Sequence, residues 1–397
     1  MASQATAHPL SSAPGASALV AAARGFADEL STRGPELEAA RQLAPDIAAR
    51  FAQAGFYRMA VPAALGGIET GPQTIVDVID ALAQADGSAA WCVMIGSTTG
   101  LTAAWLAPEA ARTVFGSDPA TITAGVFAPM GTADVSGETA TVTGRWAWGS
   151  GSRNAQWIFG GARLVRDGAP VIEDGRPRTM MFAMPAHDVT IHDTWDPSGL
   201  AGTGSHDFEA AGVVVPLGHG ADITARAREA GALYAFPVFG MLALGIAGVA
   251  TGLGRAAIRE LQEIGGGKRP QGSRRLVGER VAAQVEIAHA EAAVAASRAY
   301  LADAIGRAWE HAKTGGEMPA EARRDLRLAA SFAVEQCVGA VDRMYLLGGG
   351  SSVHKTGRLQ RIFRDAHVVT QHMMVAPATW ELTGRMLFGL DTDMATV

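Results

Sequence analysis

The sequence predicts an α+β protein in which a helical domain, a β domain and a C-terminal helical bundle follow one another along the chain. Apolar residues recur at three- and four-residue spacing over residues 15–118 and again over 218–397, which is the period of half-buried helices. Residues 119–217 instead form short runs rich in Val, Thr and aromatics separated by Gly, Pro and Asp, the texture of strands and turns. With 397 residues, 48% hydrophobic and only 18% charged, the chain can bury a large core.

Each segment has its own reasons. Residues 1–14 are polar, with neither a positive cluster nor an apolar run, so they read as a disordered leader and not as a signal peptide. In the first domain the helical pattern is carried by "LEAARQLAPDIAARFAQAGF" and "TIVDVIDALAQADGSAAWCVMIG", with Gly66, Gly67 and Gly71 between them. In the β domain, "ETATVTGRWAWG" puts Ala140, Val142, Gly144, Trp146 and Trp148 on one strand face and Thr141, Thr143 and Arg145 on the other. In the last domain, "ERVAAQVEIAHAEAAVAASRAYL" aligns Val281, Val285, Ala288, Ala292, Ala295 and Ala299 in a stripe of small side chains suited to close helix contact. Glycine clusters at Gly265–Gly267, Gly315–Gly316 and Gly348–Gly350 separate the helices.

Composition excludes several functions. A net charge of −6 with scattered Lys and Arg offers no basic stripe for nucleic acid or an anionic membrane. The uncharged stretch from Ala230 to Gly254 is long enough to cross a bilayer, but its glycines, Pro237 and Ala-rich flanks suit a helix buried in a bundle. Cys92 and Cys337 lie far apart, which argues for a reducing compartment, the cytoplasm, and against a disulfide framework or a structural zinc site. Gly252 to Ala257 fits GxGxxA, yet it lies inside an apolar helical run and not after a strand, so no dinucleotide-binding turn is expected.

Several motifs, in order, resemble the acyl-CoA dehydrogenase superfamily: "APEAARTVFG", "APMGTA", "GRWAWGSG", "WDPSGLAGTGSHDFEAAGVVVP", "YLLGGGSS" and "LQRIFRDAH". The resemblance runs from about Gly34 to Leu390. It implies an acyl-CoA-dehydrogenase-like fold with an N-terminal α-helical domain, a middle β-barrel or sandwich domain and a C-terminal four-helix bundle. "DGSAAW" at Asp86 to Trp91, the paired Trp146 and Trp148, and the His ending "RDAHVVTQH" are similar to the two-component flavin monooxygenases of that superfamily.

The chemistry of the residues bears on which branch applies. A dehydrogenase of this kind needs a carboxylate to take the α-proton of a thioester while the flavin takes a hydride. The superfamily supplies it shortly after the RDA motif or on the long apolar helix that follows the β domain. Counting from Arg364, Asp365 and Ala366, the first position falls on Met373, beside His372, and no acid occurs from Val368 until Glu381. The second fails because Ala230 to Gly254 has no Asp or Glu. An imidazole suits different chemistry. Reduced flavin and oxygen form a C4a-(hydro)peroxyflavin, which a nearby His can hydrogen-bond and serve with protons near neutral pH.

The resemblance therefore implies the oxygenase component of a two-component flavin-dependent monooxygenase. It would use reduced FMN or FAD, supplied by a separate NAD(P)H:flavin reductase, and O2 to hydroxylate or heteroatom-oxidise a small aromatic or polycyclic substrate. His372 and Ser150 are the implied catalytic residues, Ser150 meeting the isoalloxazine near N5. Phe127, Ala128, Trp148, Trp195 and Gln371 would surround the ring, Gly349 and Ser351 would meet the cofactor tail, and Arg269, with Arg274 and Arg275 close behind, would clamp a phosphate. The Phe-Gly that follows the corresponding Arg in the family is missing here. His354 and His367 read as surface residues. A homotetramer, or at least a dimer, is expected, because the helical bundle has more Ala- and Gly-lined faces than one subunit can cover and the Arg269 region would reach a partner's flavin. The residues leave two other readings open: an acyl-CoA dehydrogenase whose base lies elsewhere, and a binding protein that kept the fold without the flavin.

Absence of the carboxylate makes a direct prediction. Saturated straight-chain acyl-CoA thioesters, mixed anaerobically with the oxidised flavoprotein, should not bleach its visible absorbance at any chain length.

Overall fold

The computed structural model describes residues 15–394 and Val397; the leader expected over residues 1–14 lies outside them. The N-terminal helices are α1 (Ala16–Gly25), α2 (Ala27–Ala40), α3 (Pro45–Gln53), α4 (Pro72–Ala83), α5 (Gly87–Gly100) and the short α6 (Pro108–Ala111). Their starts follow local chemistry. Pro45 and Pro72 occupy first-turn positions, where a missing N–H leaves no hydrogen bond unmade. Asp86 caps α5 by accepting the Ala89 N–H at 2.9 Å. Phe26 meets both Phe51 and Phe56 edge to face within this domain, and Phe51 and Phe56 are tilted against each other.

The strands are β1 (Thr123–Ser136), β2 (Thr139–Gly149), β3 (Trp157–Arg166), β4 (Ala169–Pro170), β5 (Ile172–Glu173), β6 (Arg176–Pro177), β7 (Thr179–Pro185), β8 (Thr190–His192), β9 (His206–Pro216) and β10 (Gly220–Ala221). The middle domain takes the form of one mixed sheet ordered β10-β7-β3-β1-β2-β9-β8, with β4 on the edge of β3 and a separate β5-β6 ribbon. β1 and β3 run parallel, and the other pairs are antiparallel. Because β10 pairs with β7, the sheet reaches Ala221, beyond the boundary expected at 217.

Two of the register shifts in this sheet shape its surface near the domain junction. Between Val126 and Gly131 the register of β1 against β3 jumps, so Phe127 to Met130 leave the ladder. Between Trp146 and Gly149 the register of β2 against β9 also shifts, with Trp146 opposite Phe208 and Gly149 opposite His206. The extra residue is a β-bulge, and it corrects the expected alternation. Ala140, Val142 and Trp146 are buried on one face as the period requires, but Trp148 adopts φ +67° and is 71% exposed. Period-two reasoning fails there because a bulge re-aims the side chain.

The C-terminal helices are α7 (Ala232–Ala235), α8 (Val238–Gly267), α9 (Val281–Lys313), α10 (Ala320–Gly348), α11 (Arg358–Val369) and α12 (Ala378–Leu387). Among the described residues α8 is the one helix long and apolar enough to cross a membrane, and nearly all of that stretch is buried inside the protein. It packs against α4 closely enough that a Cβ on Gly252 would lie 2.5 Å from both the Ala83 Cβ and the Asp80 carbonyl. Asp80 then ties three helices together, accepting from Thr251 of α8 at 2.6 Å and from the Arg298 guanidinium of α9 at 2.6–3.1 Å.

The stripe expected to make close helix contact on α9 points elsewhere. Val281, Val285, Ala288, Ala292, Ala295 and Ala299 are all exposed, while Ala283, Ala290, Val294, Ser297 and Leu301 form the buried face. Small residues surround this helix on more than one side, so composition did not distinguish the inner face from the outer one.

Candidate active site

Four segments that are distant in sequence meet at the junction of the three domains: α5, the bulged end of β2, the loop from Trp195 to Ser205, and the turn after α11. The loop is tightly seated on α11. Gly199 approaches so closely that a Cβ there would lie 2.3 Å from the Arg364 carbonyl oxygen. The Leu200 N–H donates to Asp365 Oδ1 at 2.6 Å, and Arg364 donates to the Ser198 carbonyl at 2.7 Å. Asp365 is therefore a structural member of the RDAH motif. Burial and then the nearby Asp86 carboxylate push its carboxyl up to about 7.

This seating brings His372 and Ser150 into one cluster through Trp91. The rings of Trp91 and His372 lie 5.8 Å apart. Trp91 Nε1 donates to Ser150 Oγ at 3.0 Å; Ser150 Oγ and Ser205 Oγ are 2.6 Å apart, as are Ser205 Oγ and Thr203 Oγ1; and Thr203 Oγ1 donates to the Leu200 carbonyl at 2.8 Å. Ser150, Ser205 and Thr203 are all buried.

His372 is half-buried, and its Nδ1 accepts the Met374 N–H at 3.2 Å. The neutral ring consequently carries its proton on Nε2 and has a donor to offer. Burial first, and then the positive charge of Arg327, lower its pKa to about 4. Arg327 is buried and donates to the Met374 carbonyl at 3.1 Å and to Thr379 Oγ1 at 3.2 Å, fixing the turn that carries the imidazole. The site thus presents a neutral N–H donor at pH 7.

Around this cluster the backbone is opened. The register jump across Phe127 to Met130 takes this segment out of regular β1–β3 pairing, and it is permitted by Gly161, where a Cβ would meet the Phe127 carbonyl oxygen at 2.3 Å and that of Ala128 at 2.6 Å. Phe127 also meets Phe239 of α8 edge to face at 6.1 Å. Trp195 is held by three hydrogen bonds: its N–H donates to His206 Nδ1 at 3.1 Å, its indole to the Leu200 carbonyl at 3.2 Å, and its carbonyl accepts from Arg41 at 2.7 Å. An exposed indole at Trp148, the irregular backbone at Phe127 and Ala128, and a half-buried Trp195 are features that can receive a flat heteroaromatic ring.

Other residues expected at the site lie elsewhere or face away. Gln371 is exposed, its amide donating to Thr370 Oγ1. Arg269 is exposed and folds back onto the Arg274 carbonyl at 2.7 Å, and Arg274 and Arg275 are exposed too. It is Lys268 that reaches the Gly348 carbonyl, at the loop bearing Gly349 (φ +53°) and the exposed Ser351. His354 is exposed, whereas His367 is half-buried and pairs with Asp342 at 2.8 Å. Conversely, sequence reasoning missed Thr203, Ser205, His206 and Arg327. Thr203, Ser205 and His206 lie within the motif "GLAGTGSH", but nothing local indicates that β9 pairs with β2 and so brings Ser205 to Ser150.

Comparison with known proteins identifies the family of the chain. Residues 14–111 match the family described as Acyl-CoA dehydrogenase, N-terminal domain, and residues 244–377 match Acyl-CoA dehydrogenase, C-terminal domain. The chain is 30% identical over 354 residues to an indole-3-acetate monooxygenase of Pseudomonas putida, covering 89% of each. It is 28% identical to the flavin-dependent monooxygenase oxygenase subunit HsaA of Rhodococcus jostii, over 91% of this chain and 96% of that one. Among solved structures, the 3-HSA hydroxylase of Rhodococcus sp. RHA1 superposes with a TM-score of 0.88 at 25% identity, over 96% of this chain and 99% of the other. XiaF from Streptomyces sp., in complex with FADH2 and glycerol, gives 0.89 at 25% identity, over 96% and 98%. The chain belongs to the acyl-CoA dehydrogenase superfamily, and within it to the flavin-dependent monooxygenases.

The pKa of His372 gives a test by titration. A ring with a pKa near 4 in the folded protein and about 6.5 unfolded stays neutral from pH 8 down to about 5, with its NMR signals those of the Nε2–H tautomer. Since the unfolded chain then binds a proton the folded one refuses, this group's contribution to stability is complete above about pH 6.5. It is lost as the pH falls from there towards 4, so His372→Phe should flatten the acid limb of the stability profile.

Proposed function

We propose that the protein is the oxygenase component of a two-component flavin-dependent monooxygenase, which hydroxylates or heteroatom-oxidises a small aromatic or polycyclic substrate. Reduced FMN or FAD, when bound, supplies the two electrons with which O2 is activated and one oxygen atom transferred. This chain's own residues hold the ring and manage one proton. The observation that carries the reading is His372: a neutral N–H donor, half-buried beside Trp91 and next to Met373, the position where a dehydrogenase would keep a carboxylate.

In this reading Trp148 and Trp195 flank the ring, the backbone of Phe127 and Ala128 meets its pyrimidine edge, and Ser150 meets the N5 edge. The strained backbone at Trp148 supports this, because a left-handed, exposed tryptophan beside a buried serine needs a partner to justify both. His372 donates through Nε2 to the oxygen being activated. The substrate wall is apolar and aromatic, with Phe127, Phe239 and the uncharged first half of α8, consistent with relatives named for indole-3-acetate and for resorcinol. Gly349, Ser351 and Arg269 remain candidates for the cofactor tail, with Lys268 the better placed cation beside that loop. The reduced flavin comes from a separate NAD(P)H:flavin reductase, in keeping with a relative named as an FADH2-dependent oxygenase component. The buried free thiols of Cys92 and Cys337 suit a cytoplasmic protein.

His372→Ala tests the role of the imidazole. The variant should bind reduced flavin nearly as wild type, but release most of the consumed oxygen as hydrogen peroxide, with product formation lower by on the order of 10² to 10³, as for loss of a single preorganised donor. Stopped-flow mixing of the reduced-flavin complex with O2 should show faster flavin reoxidation in the variant. Unchanged coupling and reoxidation would refute the assignment.

We further propose a homotetramer, in which the exposed α9 stripe from Val281 to Ala299 and the exposed Leu387 and Phe388 are covered by other subunits. Light scattering at low concentration should return the mass of four chains; a stable, flavin-competent monomer would contradict this.

A further inference from the structure

The hydroxyl chain behind Ser150 has a direction, and that direction bears on which redox state of the flavin the site prefers. One end of the chain is the Trp91 indole, which can only donate; the other is the Leu200 carbonyl, which can only accept. Between them lie three hydroxyls, Ser150, Ser205 and Thr203, joined by contacts of 2.6 Å. The four contacts have four protons to fill them, one from the indole and one from each hydroxyl. All are filled only when every proton points the same way, from Trp91 to Ser150 to Ser205 to Thr203 to the Leu200 carbonyl. Any reversal leaves one of these buried contacts without a hydrogen.

Ser150 in this arrangement has given its proton to Ser205 and keeps one unused lone pair. It can accept a further hydrogen bond but cannot give one. Oxidised flavin has an acceptor at N5, whereas two-electron-reduced flavin has an N–H there. We infer that Ser205 and Thr203 are positioning residues that make the site selective for flavin protonated at N5, by holding Ser150 as an acceptor. The inference rests on the proposed assignment of Ser150 to the N5 edge.

The number of hydrogen bonds sets the size of the preference. Reduced flavin adds one more to an intact chain. Oxidised flavin either gains none, or gains one from Ser150 by reversing the chain and losing the bond from Thr203 to Leu200. The preference is therefore worth about one net hydrogen bond, or roughly fivefold in relative affinity. For an oxygenase fed with reduced flavin by another protein, this bias would favour capture of the reduced cofactor and release of the oxidised one.

The test is a pair of binding titrations for each variant, with FMN and with FAD, oxidised in air and dithionite-reduced under anaerobic conditions. Thr203→Val keeps shape but removes the link to the Leu200 carbonyl, and the Ser205 and Ser150 protons are then free to turn towards the flavin. The ratio of oxidised to reduced dissociation constants should fall roughly fivefold, mainly through tighter binding of oxidised flavin. Ser205→Ala should do the same, because Ser150 loses its protein acceptor. Thr203→Ser restores the hydroxyl and should restore the wild-type ratio. A ratio within about twofold of wild type in both Thr203→Val and Ser205→Ala, with flavin still bound, overturns the inference and leaves the proposed function standing. Failure of the wild-type protein to bind either flavin in either state would instead overturn the proposed function itself.

Discussion

The site depends on one buried carboxylate. Asp365 sits on α11 and accepts the backbone N–H of Leu200 at 2.6 Å, docking the Trp195–Ser205 loop against the helix that leads to His372. Gly87 at the start of α5 leaves room for it, since a Cβ there would lie 3.3 Å from Asp365 Oδ2. With that loop docked, Ser205 reaches Ser150 and Thr203 reaches Ser205, the Leu200 carbonyl receives the Trp195 indole, and the turn after α11 faces Trp91. The clamp is pH-sensitive. A buried acid whose pKa is pushed up to about 7 favours the fold most when protonated, so stability contributed by this group declines as the pH rises from about 4 through 7. Arg361, 4.0 Å from Asp86, offsets part of the repulsion between the two carboxylates.

The same electrostatic logic separates this centre from one that abstracts a carbon-bound proton. Burial first, and then Arg327 behind the turn, disfavour a proton on His372 and so keep the imidazole neutral, with its single hydrogen on Nε2. A guanidinium in that position would equally hold a carboxylate ionised.

Backbone irregularity is concentrated at the same junction. The bulge at Trp148, the loop-out from Phe127 to Met130 and the close approaches at Gly161 and Gly199 interrupt otherwise regular elements. The bulge aims the Trp148 ring outward where regular pleating would have hidden it, and the glycines let backbone segments approach more closely than a side chain would allow. This is the pattern expected when local rules are broken for a ligand and regular packing elsewhere compensates.

Much of this was legible from the sequence, for identifiable reasons. Periodicity distinguishes helix from strand over long segments because burial on one face imposes it, so the three-domain order and the buried α8 could be read directly. The absence of any acid near Met373 or in Ala230 to Gly254 is visible in the residues themselves, and it alone argues against thioester dehydrogenation. What the sequence could not supply was any relation that depends on which strands pair and which surfaces meet. The outward turn of Trp148 comes from a bulge whose partner strand lies some sixty residues away, and the buried face of α9 could not be told from its exposed Ala stripe because both are lined with small residues. The directed hydroxyl chain joins α5, β2 and the loop before β9 through hydrogen bonds that exist only once tertiary packing has excluded water from all of them.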